Sequence, residues 1–168
     1  MSVRAGWRKS LGASLEVELG YRADGTGSAT LTGQIDETSD LSPLGDVKGS
    51  LVLDLAAVSY VNSTGVRAWV RLLRKLRSNG TAVSIRRCSI CMVMQMSFVE
   101  DAKARVASFY APYSCARCGA DGEPELVDCT THRADLAAGR FPTRQCPRCA
   151  VVMSPDEDPE SYLLFLSE

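Results

Sequence analysis

The chain holds a single histidine among its 168 residues. Chemistry that needs two imidazoles, whether as metal ligands or as a paired acid and base, is therefore excluded. Aromatic residues make up only 7% of the composition. No segment approaches the roughly 18 uninterrupted apolar residues that a membrane helix needs, so no membrane association is expected. The N-terminus MSVRAGWRKSLGAS carries basic residues with no apolar stretch behind them, which does not fit a secretory signal. Paired catalytic carboxylates, a Gly-rich phosphate loop, internal repeats and low-complexity tracts are also absent from the sequence. A non-enzymatic role is expected on that basis. The formal net charge of -1 gives no general attraction to nucleic acid.

What is present divides in two. Residues 1–112 carry 14 Lys/Arg against 10 Asp/Glu, whereas residues 113–168 carry 5 against 10. Such a contrast marks two modules with different surfaces. Apolar content of 45% suffices for a real core. Strands are expected at 14–21 (SLEVELGY) and 28–35 (SATLTGQI), joined by the ADGTG turn into a hairpin. A short helix is expected around 38–46, weakened by Pro43. LVLDLAAV (51–58) suits a central strand covered on both faces. Val66, Trp69, Val70, Leu73 and Leu76 recur at helical spacing, with Arg67, Arg71, Arg74 and Lys75 on the opposite side. Ser63 or Thr64 can cap this helix, and Asn79-Gly80 ends it. A strand at 81–87, a helix at 89–99 and an extended segment at 103–113 follow. The order describes an α/β module with a mixed sheet and packed helices over 1–112. Residues 154–168 end in a short helix with Asp158 as cap and Pro159 at its first position.

Residues 113–153 read differently. Cys115-Ala-Arg-Cys118 and Cys146-Pro-Arg-Cys149 are separated by 27 residues. Two residues between cysteines let one tight turn aim both sulfurs at one point, and two such turns build a tetrahedral thiolate site. One structural Zn2+ on Cys115, Cys118, Cys146 and Cys149 is expected, because four thiolates leave no position for water or substrate. With no export signal, the thiols are expected in a reducing cytoplasm. Cys129 and His132 also have ligand spacing, but a solvated histidine and a loop cysteine are the blander reading. Cys88 and Cys91 form a third CxxC, read as small hydrophobes of a helix. Met92, Met94 and Met96 crowd this second helix; thioether surfaces can bind partners, but a mostly apolar helix is expected to pack into the domain.

The run from GQID (33–36) through LVLDLAAVSYVNSTGVRAWVRLLRKL to TAVSIRR resembles the STAS domain, named for sulphate transporters and anti-sigma factor antagonists. The resemblance spans roughly residues 14–100. Residues 115–153 resemble a zinc ribbon. The first resemblance implies an α/β fold and partner switching. A serine kinase that is also an anti-sigma factor would phosphorylate Ser63, and the unphosphorylated form would bind that kinase. Asp36 would lie near Ser63. Asn62 stands where the family usually has aspartate. Asp36, Asn62, Thr64, Gly65, Arg67 and Arg71 then become the expected partner-binding residues. The resemblance leaves two readings of Ser63 open, a helix cap and a phosphoacceptor. Two further alternatives stand beside the regulatory adaptor: a nucleic-acid-binding ribbon protein, and a scaffold whose STAS domain is never phosphorylated. The ribbon and terminal helix could also join two copies into a homodimer.

Overall fold

The computed structural model describes residues 5–167. The expected α/β architecture is present, with a six-stranded mixed sheet, packed helices, a cysteine cluster and a short C-terminal helix. The sheet is built from β1 (Trp7–Ser10), β2 (Leu15–Tyr21), β3 (Gly27–Ile35), β4 (Ser50–Val61), β5 (Ala82–Arg86) and β6 (Arg105–Val106), side by side in that order. β1, β2 and β3 pair antiparallel; β3, β4, β5 and β6 pair parallel. β2 alternates as its sequence predicts: Leu15, Val17 and Leu19 are buried, while Glu16 and Glu18 face solvent. The β2–β3 turn closes through Arg22 N–H to the Thr26 carbonyl and Gly25 N–H to the Arg22 carbonyl, both at 2.9 Å.

β4 lies between two parallel neighbours, which explains its apolar length. α1 (Ser63–Ser78) links β4 to β5, and α2 (Ile90–Phe98) links β5 to β6. Both crossovers step in the same direction. With the usual right-handed connection they place both helices on one face of the sheet. Trp69, Leu72, Leu73 and Leu76 of α1 and Met92, Val93 and Met96 of α2 are buried in a core with Leu51, Leu53 and Leu55. The segment expected to be helical at 38–46 forms only a 3₁₀ turn, Ser42–Asp46, with Pro43 in its first positions.

Asp54 is the one charged residue of β4, and it is buried, 1% exposed. Arg87 Nε donates to its Oδ2 at 2.9 Å. Arg86 Nε lies 3.0 Å from the same oxygen, although it makes no aligned hydrogen bond. The ion pair raises the Arg87 pKa from its ordinary value, first through the hydrogen bond and then through the charge.

The chain passes from the first sheet to the second without a linker. Ala107 N–H donates to the Ile85 carbonyl, and β7 (Ser108–Ser114) continues directly after β6. β7 pairs antiparallel with β8 (Glu123–Asp128) and with β10 (Val152–Pro155), and β10 pairs with β9 (Arg144–Gln145). Between β8 and β9 lies α3 (Arg133–Ala137). β7 thus crosses residue 113, the expected module boundary, and one continuous core joins the two sheets. The C-terminal α4 (Pro159–Tyr162) starts as the sequence predicts, with the Asp158 side chain accepting from Glu160 N–H. It docks rather than projects. Tyr162 Oη donates to the Tyr110 carbonyl at 2.6 Å, and Ser97 Oγ of α2 donates to the Tyr162 carbonyl at 2.9 Å. Phe165 meets Phe109 edge-on, ring centres 5.0 Å apart.

Candidate functional site

Parallel β3 and β4 end next to each other, so the loops that follow them meet. Asn62 N–H donates to the Ile35 carbonyl at 3.3 Å. Asn62 is also the helix cap: its Oδ1 accepts from Gly65 N–H at 2.8 Å. This corrects the expectation that Ser63 or Thr64 caps α1. Ser63 is the first helical residue, and both Ser63 and Thr64 are exposed. Gly65 is buried. Its role is clearance, because a Cβ there would lie 1.9 Å from the Ile35 carbonyl oxygen.

Asp36 sits in the neighbouring loop, as the resemblance implies, but its carboxylate serves that loop. Oδ1 accepts from Thr38 Oγ1 at 2.7 Å and from Thr38 N–H at 2.9 Å. These two bonds hold the Asp36 carboxyl below its ordinary value. The next residue, Glu37, reaches the start of α1: its Oε2 accepts from Asn62 Nδ2 at 2.6 Å. Sequence reasoning missed Glu37. The signal available was an Asp-Glu pair directly after β3, opposite an asparagine where the resembled family has an acid.

Asn62 therefore ties the cap, the β3 end and Glu37 together. Asn62→Ala is expected to lower stability by about 0.5–2 kcal/mol, the usual loss for a deleted cap. Asn62→Asp should recover the cap but lose the donor to Glu37, landing between the two in a urea denaturation series.

The basic residues around α1 are not one free patch. Arg74 pairs with Asp101, Arg77 donates to the Lys103 carbonyl, and Arg86 and Arg87 are drawn to Asp54. Arg67, Arg71 and Lys75 remain exposed along the helix below Ser63. Arg71 and Lys75 border a cleft of about 570 Å3 whose opposite wall includes Asp40, Ser42 and Asp46.

The second constellation is the cysteine cluster. The Sγ atoms of Cys115, Cys118, Cys146 and Cys149 all lie within 4.8 Å of one another. Cys115 and Cys149 are 3.4 Å apart, and Cys118 and Cys146 are 3.5 Å apart. A tetrahedron with bonds of about 2.3 Å has edges of roughly 3.8 Å, so the donor set fits one metal ion with little adjustment. The two turns repeat each other. Gly119 N–H donates to the Cys115 carbonyl at 3.0 Å, and Ala150 N–H to the Cys146 carbonyl at 2.8 Å. Cys115 and Cys146 N–H donate in turn to the Ala120 and Val151 carbonyls. Gly119 has φ +70 and Ala150 φ +57, so the second turn carries the strain that a Cβ imposes in the left-handed region. Backbone N–H groups aimed at sulfur favour thiolate. That of Cys118 leads in lowering the Cys115 thiol to about 6, and that of Arg148 leads in lowering Cys146, whereas Cys118 and Cys149 are raised: the backbone N–H groups of Ala120 and Val151 lower them, but hydrogen bonds with the neighbouring thiols of Cys146 and Cys115 and burial outweigh that.

Among the described residues no other group of three or more Cys, His, Asp or Glu converges this way. His132 Nε2 lies 3.3 Å from Arg144 Nη2, away from the cluster. Burial pushes the Cys129 thiol up to about 11 and Cys88 well above its ordinary value. Cys91 Sγ donates to the Val58 carbonyl at 3.3 Å. Met92 and Met96 are core residues, whereas Met94 is 39% exposed.

Residues 24–95 match the family model of the STAS domain. The match runs from the β2–β3 turn into α2 and takes in the whole Ser63 joint. The four-cysteine cluster lies beyond it and is consistent with a zinc ribbon. No curated protein and no solved structure matches the chain.

Proposed function

We propose that this chain, with a STAS domain at residues 24–95, is a non-enzymatic regulatory adaptor that docks a protein partner through the start of α1, under control of phosphorylation at Ser63. The carrying observation is the exposed Ser63 at the first position of a sixteen-residue helix. First-turn N–H groups have no acceptor inside a helix, and here Asn62 takes only that of Gly65. The positive end of the helix dipole favours a phosphate. Arg67 lies one turn on. Glu37 opposes it, because a phosphate of about -1.5 to -2 charge arrives beside a carboxylate already bound to Asn62. The modification would change the charge and contacts of this surface while leaving the buried Gly65–Ile35 seam intact. A serine kinase acting as an anti-sigma factor is the partner that the family resemblance implies. The metal is one Zn2+ per chain, held by Cys115, Cys118, Cys146 and Cys149 in a structural role, and the reduced thiols it needs suit the cytoplasm. Nucleic acid is the weaker reading: four of the seven basic side chains near α1 are engaged within the chain, and the ribbon half is acidic.

The test compares Ser63→Ala and Ser63→Asp in partner capture from host extract. Ser63→Ala should hold the partner as the natural chain does. Ser63→Asp should weaken capture at least about tenfold, equivalent to roughly 1.4 kcal/mol. Equal capture by both would remove the switch and leave the unphosphorylated scaffold.

A further inference from the structure

β4 outruns its neighbour. β5 pairs with it only from Ser50 to Asp54 and ends at Arg86, whereas β4 continues to Val61. The chain leaves the sheet through Arg87, held at φ +49, and Cys88 then pairs with Phe109 of β7. Beside the later part of β4 opens a notch of about 600 Å3. Ala56 and Val58 of β4, Ile90 and Met94 of α2, Tyr110 of β7 and Pro124 of β8 wall it, and none of the described residues lining it is charged. A concave apolar space of this size suits a small molecule.

A charged group borders the notch. Ala56 N–H donates to Asp54 Oδ1 at 3.2 Å, and Arg87 Nε and Nη2 donate to Oδ2 of the same carboxylate. Arg87 N–H is anchored on Ser108 Oγ at 2.9 Å, two residues before Tyr110. Arg86 Nε lies 3.0 Å from the same Oδ2. One guanidinium would neutralise Asp54. The second is surplus, so two arginines and one carboxylate leave one positive charge, and both arginines stay partly exposed. The carboxylate fixes them before any ligand arrives, which lowers the ordering cost of binding. Met94 lies one turn beyond Ile90, roughly 6 Å further from Arg87 along α2.

We propose that the notch binds a free medium-chain carboxylate, its head against the Arg86–Arg87 pair and its apolar chain along Ile90 and Met94. A single negative charge matches the single surplus positive one, in a charge-assisted hydrogen bond. The chain needs no polar partner from walls that offer few. A neutral molecule would leave the surplus charge unanswered, and a cation would be repelled. An acidic peptide would bring charges that the uncharged walls cannot meet. The site is separate from Ser63 and does not depend on the switch.

The experiment is titration calorimetry of the full, metal-loaded, reduced chain with decanoate. Saturable binding is expected, with octanoate about tenfold weaker for its two missing methylenes. Decyltrimethylammonium should bind at least about tenfold more weakly than decanoate. Arg87→Gln should weaken decanoate at least about tenfold and leave uncharged decanol within about twofold. Met94→Asp keeps every ion pair and places a carboxylate in the notch. It should weaken decanoate to a similar degree with an unchanged circular dichroism spectrum, since Met94 is 39% exposed. Bound decanoate should also slow iodoacetamide alkylation of Cys91, which lines the notch, as read by peptide mass spectrometry. The proposal is overturned by absence of saturable decanoate binding, by equal binding of the cationic amphiphile, or by binding that both substitutions leave untouched. A Cys91 that reacts at the same rate with decanoate bound overturns it as well. So does sedimentation of the chain with anionic phospholipid vesicles without decanoate binding, because the ligand would then be a membrane surface.

Discussion

Cys146→Ser is expected to empty the cysteine site and to unravel residues 115–153. Metal content should fall from one ion per chain to near zero. The reason is the small core of this segment. Beyond Val127, Ala120, Met153 and the two buried ligands, few of its side chains are enclosed. β9 contributes only two residues, and α3 buries none. A structural Zn2+ site supplies about 10–16 kcal/mol in small peptides, which is enough to decide whether such a segment folds. Cys146 also anchors its turn through Ala150 and Val151, so its loss removes a ligand and loosens the geometry for Cys149. The first module should survive. Its core rests on β2 to β5 and α1, none of which contains a ligand. The C-terminal helix should stay docked, because Ser97 and Tyr110 hold Tyr162 and Phe109 meets Phe165. Hydrogen exchange read by mass spectrometry checks this: fast exchange over 115–153 with β2–β4 still protected. A fully loaded variant, or one that loses protection in β3 and β4, would contradict it.

Gly65→Ala is expected to cost about 3–4 kcal/mol, at the upper end of single-substitution losses. The added Cβ would sit 1.9 Å from the Ile35 carbonyl oxygen and 2.6 Å from its carbon. Both are backbone atoms of a central strand, so no side-chain rotation can relieve the clash. Either α1 lifts from the β3 end or Ile35 gives up its bond from Asn62 N–H. For a chain of this length the loss corresponds to a melting point lower by roughly 6–16 °C. Gly20→Ala is the control, since a Cβ there meets nothing within 4 Å. Its melting point should stay close to that of the natural chain. Equal stability of the two variants would mean that the helix start does not rest on Ile35.

The parts of the fold that can be read from sequence are those set by local chemistry. β4 and α1 declare themselves through an apolar run and a helical stripe, and the stripe is right except that Leu72 is buried where Val70 is only half-buried. The cysteine pairs are legible because a CxxC turn works within five residues. Other features depend on partners distant in sequence. The cap of α1 was ambiguous because Asn, Ser and Thr all cap well. The register is decided by how closely Gly65 can approach Ile35, thirty positions away in the chain. Glu37 reaches Asn62 across 25 residues for the same reason. β1 carries WRKS, with no alternation to signal a strand, and forms only because β2 offers a free edge. The shared core is equally hidden: Phe109, Tyr113, Tyr162 and Phe165 look like members of separate segments until β7 runs on from β6.

The docking site proposed for another protein is the joint between the β3 and β4 ends. Hydrogen exchange of the chain with and without the partner it captures locates the contact directly. Slowed exchange at residues 36–40 and 62–71, restored when Ser63 is replaced by aspartate, is the predicted result. Protection confined to α2 or to the ribbon, with the start of α1 exchanging as in the free chain, would contradict it.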